Sequence, residues 1–212
     1  MERGQHIPDF CINTYILTPS GDGEVKKNIS NQFTGKDEFD LHFIDVDSDD
    51  SMIWKGIREV CKDAMLTNES LIIICRDDHI FTESYNKEIL YEGIIDAAKK
   101  GAKILLGGIG AFGQAIPLST KQFWIDSFEG TSFIVLFRSI LDELLIEPFH
   151  NENTVDESLS RLTSHKMVIL PFVSSKRHLN SFAHEKPIPF DVSEKRLIHL
   201  SKIARLYGEA IH

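Results

Sequence analysis

Residues 71–79 read Leu-Ile-Ile-Ile-Cys-Arg-Asp-Asp-His. An apolar, β-branched run this short is a buried strand, not a spanning helix. It stops abruptly at two carboxylates and an imidazole. In an α/β sheet the carboxyl ends of the strands open onto the ligand crevice, so Asp77 and Asp78 are expected at the rim of a cleft. Hard oxygen ligands at such a place suit Mg²⁺ or Mn²⁺ held against a phosphate. A polar strand-to-loop exit is the plainer explanation of the same residues.

Working outward, the pattern predicts a strand over 10–17, a turn-rich loop at 18–23 and a helix over 24–33. A second strand over 41–46 leads into the acidic stretch 45–50. Ser51 is then placed to cap a helix reaching residue 66, with Ile53, Trp54, Ile57, Val60, Cys61 and Ala64 on one face. After the 71–75 strand come a helix over 88–100 stopped by Gly101, a strand over 103–106 and a glycine cluster over 107–113. Further strands are expected over 133–137 and 167–172, with helices over 139–145, 155–164 and 193–211. Alternating strands and helices imply α/β architecture with a parallel sheet and right-handed crossovers.

With 212 residues, 42% hydrophobic and 26% charged, the chain suits one substantial soluble domain. A net charge of −9 supplies no basic stripe for nucleic acid. Cys11, Cys61 and Cys75 lack metal spacing and read as buried free thiols. No signal-peptide core or membrane-spanning run is present in the sequence, so a cytoplasmic location is expected.

Other candidate features stand at the strand ends. Thr18 with Lys26 and Lys27 follows the first strand, where a hydroxyl and an ammonium suit a nucleotide diphosphate or simply solvent. Asp45 and Asp47 end the second strand, where acids accept from ribose hydroxyls or favour a helix N-terminus. The glycine cluster lacks the Lys-Ser/Thr of a phosphate loop and reads as close backbone approach or a plain turn. Residues 123–131 interleave aromatics with Asp126 and Glu129, which suits sugar recognition or a core with acids outside. Asp156 opens a helix, where capping is its ordinary duty. His178 and His184 could close over a metal or simply be solvated.

The order of these features resembles the bacterial lipopolysaccharide-biosynthesis glycosyltransferases of family twenty-five. The likeness rests on Trp54-Lys55, the 71–81 strand end, Gly130-Thr131-Ser132-Phe133-Ile134-Val135, Val155-Asp156-Glu157-Ser158-Leu159 and Val168-Ile169-Leu170-Pro171-Phe172-Val173. It implies a single GT-A-like, Rossmann-related domain over 1–175, with a mostly parallel sheet flanked by helices. Residues 176–212 would form an extension whose amphipathic helix packs on the domain, on a second copy, or at the periphery of the inner membrane. It further implies sugar transfer from a nucleotide-diphosphate donor, a UDP-sugar favoured, to a glycan or lipid-linked acceptor. Thr18, Lys26, Asp45, Asp47, Arg76 and Asp77 would contact the donor, and Asp78 would hold Mn²⁺ or Mg²⁺. Asp156 is the first candidate for the base, Asp126 or Glu129 the next. The chain departs from the family in carrying Arg76-Asp77-Asp78 in place of Glu-Asp-Asp. Two alternatives stay open: a catalytically impaired sugar- or nucleotide-binding homologue, and a metal-dependent nucleotidyltransferase.

Overall fold

A computed structural model describes residues 10–19, 21–177 and 190–210, without the side chains of 207–210. The elements follow as β1 (Ile12–Pro19), α1 (Gly23–Phe33), β2 (Phe39–Val46), α2 (Asp50–Leu66), β3 (Leu71–Arg76), β4 (His79–Phe81), α3 (Lys87–Lys99), β5 (Ile104–Leu106), β6 (Ala111–Phe112), β7 (Ala115–Ser119), β8 (Gln122–Ile125), β9 (Phe128–Glu129), β10 (Phe133–Phe137), α4 (Arg138–Ile146), α5 (Val155–Leu162), β11 (Lys166–Ile169), β12 (Ser174–Lys176) and α6 (Phe190–Ala210).

Eight strands form the central sheet in the order β2-β1-β3-β10-β5-β11-β8-β7. Strands β1, β2, β3, β5, β7 and β11 run one way, whereas β8 and β10 run the other. The sheet is therefore mostly but not wholly parallel, and β10 lies reversed between β3 and β5. The reason is the path of the chain. It leaves β5 at the sheet's carboxyl end, folds through 107–132, and re-enters at that same end as β10. An α/β domain of Rossmann-related, GT-A-like type results.

Apolar layers cover both faces. Ile29, Phe33, Leu90, Tyr91 and Ile94 of α1 and α3 pack on one side with Ile73, Val135 and Leu105. Residues of α2, α4, α5 and α6 pack on the other with Ile72, Ile74 and Leu136. That two-sided burial explains why β3, β5 and β10 are uniformly apolar and not alternating. On α2 the expected face is the buried one, Ile53, Trp54, Ile57, Val60, Cys61 and Ala64 all being nearly inaccessible.

Caps fix where the helices begin. Asp49, not Ser51, caps α2, accepting from the Ser51 backbone N–H at 2.9 Å. Thr154 and Glu157 form a reciprocal capping box at α5, each accepting the other's backbone N–H. Asp156 is thereby free of capping duty. Cys61 and Cys75 are buried, burial pushing the Cys61 thiol up to about 12. Cys11, expected inside, is exposed just before β1.

The first half of α6 docks on the domain: Leu197 is buried, Ser193 donates to the Gly110 carbonyl, and Arg196 lies 4.4 Å over the Phe112 ring. Beyond it Ile203 and Leu206 are exposed. No described helix is long and apolar enough to cross a membrane.

Candidate functional site

The carboxyl ends of β1, β2 and β3 stand side by side, so the parallel register alone brings Thr18 opposite Asp45 and Leu17 opposite Arg76. A narrow cleft of about 40 Å³ opens there, lined by Thr18, Asp47, Arg76 and Asp77 with Leu17, Pro19, Val46, Ser48 and Ile53. Lys26 reaches back from α1 to Asp45 at 2.5 Å, and the Thr18 hydroxyl donates to the same carboxylate at 3.5 Å. Three residues expected to meet the ligand separately are thus one preformed network.

The acidic pair occupies two environments. Burial raises the Asp77 carboxyl, the neighbouring Asp78 charge raises it further, and Arg76 partly offsets both. Asp78 turns inward. Its Oδ1 is buried without a hydrogen-bond partner among the described residues, and its Oδ2 lies 3.5 Å from the ammonium of Lys176. Strand β12 delivers that lysine by pairing antiparallel with β4, Lys176 opposite His79. The Arg177 backbone N–H closes the corner by donating to the Asp78 carbonyl at 2.7 Å. Lys176 was not anticipated from sequence. The expected last strand ended at 172, and the only signal beyond it was the cation pair Lys176-Arg177.

His79, the imidazole of the motif, belongs to the core. It is fully buried with Phe33, Phe81 and Phe133 around it, and its Nδ1 meets the Ser174 hydroxyl at 2.9 Å. Burial, with Lys36 nearby, drives its pKa down to about 3 and keeps it neutral.

Asp156 reaches the site from α5. Its Oδ2 accepts the backbone N–H groups of Gly130 at 2.6 Å and Thr131 at 3.2 Å. Both bonds end on one oxygen, and among the described residues nothing hydrogen-bonds Oδ1, which leaves it for other chemistry. Burial raises this carboxyl above the ordinary carboxylate range, against the pull of Lys176, Arg76 and the two N–H groups. The same cations that flank the acidic pair therefore also act on Asp156.

The other two candidate bases stand apart. Strand β8 is antiparallel to β11, with Ile169 opposite Gln122, so Asp126 lies at the sheet's amino end. There it accepts from the Gln114 N–H at 2.7 Å. Glu129 is closer, one residue before Gly130, but its side chain points to solvent. The aromatics of this segment serve the core: Phe123 and Phe128 are buried, and Trp124 donates to the Ser164 carbonyl. The glycine cluster is a close backbone approach. A Cβ on Gly108 would stand 2.1 Å from the Ser174 carbonyl oxygen. His178 and His184 lie outside the described residues.

The donor set suits a divalent cation poorly. Among the described residues no three His, Cys, Asp or Glu side chains gather as a metal site. Of the pair meant to hold one, Asp78 is already matched by Lys176, and Asp77 is flanked by Arg76.

No family model matches the chain, and no curated protein does. Among solved structures it is similar to A197 from STIV, with a TM-score of 0.53 at 8% identity over 84% of this chain and 100% of that one. A UDP-glucose pyrophosphorylase gives 0.45 in its apo form (10% identity, 79% of this chain and 73% of that one). A UDP-glucose pyrophosphorylase complexed with UDP-glucose gives 0.48 (9%, 79% and 74%). At such identities the likeness to A197 is one of fold.

Proposed function

We propose that the chain transfers a sugar from a nucleotide-diphosphate donor, a UDP-sugar favoured, to a hydroxyl of a glycan or lipid-linked acceptor. The observation that carries this reading is the pairing of Asp156, with Oδ1 unspent, and the cations Arg76 and Lys176 at one strand end. In such a transfer the acceptor oxygen attacks the anomeric carbon while the bond from that carbon to the diphosphate oxygen breaks. The electron pair leaves with the nucleoside diphosphate, where Arg76 and Lys176 offset the growing negative charge. The acceptor proton passes to Asp156 Oδ1, and burial, by raising that carboxyl, makes it a stronger base than an ordinary aspartate. Thr18, Asp47 and Asp77 would line the nucleotide cleft.

Nucleotidyl transfer, which must hold a triphosphate, is the second reading, and neither it nor sugar transfer finds an anion site at the β1–α1 turn. The N-terminus of α1, a natural anion site, is capped by the Asp22 carboxylate and carries Glu24 in its first turn. The nearby Lys26 is spent on Asp45. The discriminating experiment is product analysis after incubating the protein with UDP-, GDP- and CMP-sugars and a panel of glycan acceptors. Nucleoside diphosphate released in step with acceptor consumption is the expected result. Pyrophosphate-dependent formation of nucleoside triphosphate would establish the nucleotidyltransferase instead.

A further inference from the structure

We infer that this site neutralises the leaving diphosphate with Arg76 and Lys176 in place of a divalent cation, so that nucleotide binding and transfer need no metal. The inference rests on the proposed transfer and deepens it. Its basis is the state of two partly buried cations with unspent donors. Lys176 has three N–H donors, yet among the described residues its only partner is Asp78 at 3.5 Å, longer than a well-formed charge-assisted bond. Both side chains of that pair are shielded, at 26% and 20% exposure. Arg76 has five donors in a planar fork, and among the described residues its guanidinium donates none of them, although its charge acts on Asp77 and Asp156. Half-buried cations with unspent donors can exchange their water for an anionic ligand and bind it by charge-assisted hydrogen bonds.

Arg76 lines the cleft, and Lys176, held on the adjacent Asp78, acts with it on Asp156. A planar guanidinium and an ammonium so gathered suit a diphosphate, the guanidinium by bidentate contact and the ammonium as a point charge. A divalent ion at the same strand end would be repelled by both. It would also have to displace Lys176 from the carboxylate expected to bind it. Arg76 is then the residue suited to the position, and its replacement of a glutamate no longer signals a defective site.

The experiment is calorimetric titration of UDP, and in parallel GDP and CDP, into the full chain in EDTA and again in excess Mn²⁺. Wild type is compared with Lys176→Met, Arg76→Met and Lys176→Arg, each checked for folding by thermal unfolding. The expected result is binding in EDTA that Mn²⁺ alters little. Each Met variant should lose at least about tenfold in affinity, and Lys176→Arg should largely keep it. Binding that appears only with Mn²⁺, with Lys176→Met and Arg76→Met unaffected, overturns the inference and leaves the transferase reading standing. No binding of any of these nucleotides in either buffer overturns both.

Discussion

Replacing Asp156 with Asn is expected to lower sugar-transfer turnover by about a hundred- to ten-thousand-fold while leaving the fold intact. The asparagine carbonyl oxygen still accepts from the Gly130 and Thr131 N–H groups, so the loop before β10 stays anchored. What disappears is the group that takes the acceptor proton. Asp156→Ala has a second consequence. It leaves two buried N–H groups without an acceptor, at about 1–3 kcal/mol each, and lowers the unfolding midpoint as well. The pH profile separates the roles further. A base must be ionised, and burial holds this carboxyl above the usual range. In wild type kcat/KM should therefore rise with pH through an acid limb above that of an ordinary aspartate. In Asp156→Asn the limb should vanish. An Asn variant as active as wild type would make Asp156 a loop anchor and nothing more.

Gly108→Ala is expected to destabilise the protein by about 3 kcal/mol or more, measured by urea unfolding. The added methyl would meet the Ser174 carbonyl oxygen, a backbone atom that cannot rotate away. That strand is also tied to the same segment, because the N–H groups of Val173 and Ser174 both donate to the Gly107 carbonyl. Relieving the clash means moving β12, and β12 carries Lys176. The variant should accordingly lose nucleotide affinity even where it remains folded. Gly23→Ala is the control. It opens α1 with no neighbour within 4 Å of a Cβ and should be neutral or slightly stabilising. Equal stability of the two variants would show that the approach at Gly108 is looser than described.

Much of the frame was legible because local signals and burial agree. The 71–76 run is apolar on both faces and ends in charge, which fits a central strand whose carboxyl end faces a cleft. The 3.6-residue period of α2 named its buried face residue by residue. The direction of β10 was not legible. Phe-Ile-Val-Leu-Phe is covered by helices on both sides, and a doubly buried strand looks the same running either way. The short pairs β6–β9 and β4–β12 have too few residues for a period of two to register. Asp49 displaced Ser51 as the cap because the helix begins earlier, at Asp50, where the Asp49 carboxylate accepts the Ser51 N–H.

The site divides along the same line. Thr18, Asp45, Asp47 and Asp77 follow from one rule about strand ends, so their proximity was readable. Asp156, at the start of α5, meets Gly130 across 26 residues and Thr131 across 25, a contact set by tertiary packing. Lys176 arrives through a three-residue strand. Asp126 looked equivalent to Glu129 in sequence, yet the reversal of β8 carries it to the far end of the sheet.

The most direct test of the central claim is backbone-amide chemical-shift mapping of the isotopically labelled protein titrated with UDP. Perturbations gathered at Thr18, Asp47, Arg76, Asp77, Asp78 and Lys176 are the predicted result. Shifts gathered instead in the roomier hollow between α3 and residues 119–122, or none with UDP, GDP and CDP alike, would contradict a nucleotide-diphosphate site at the end of β3.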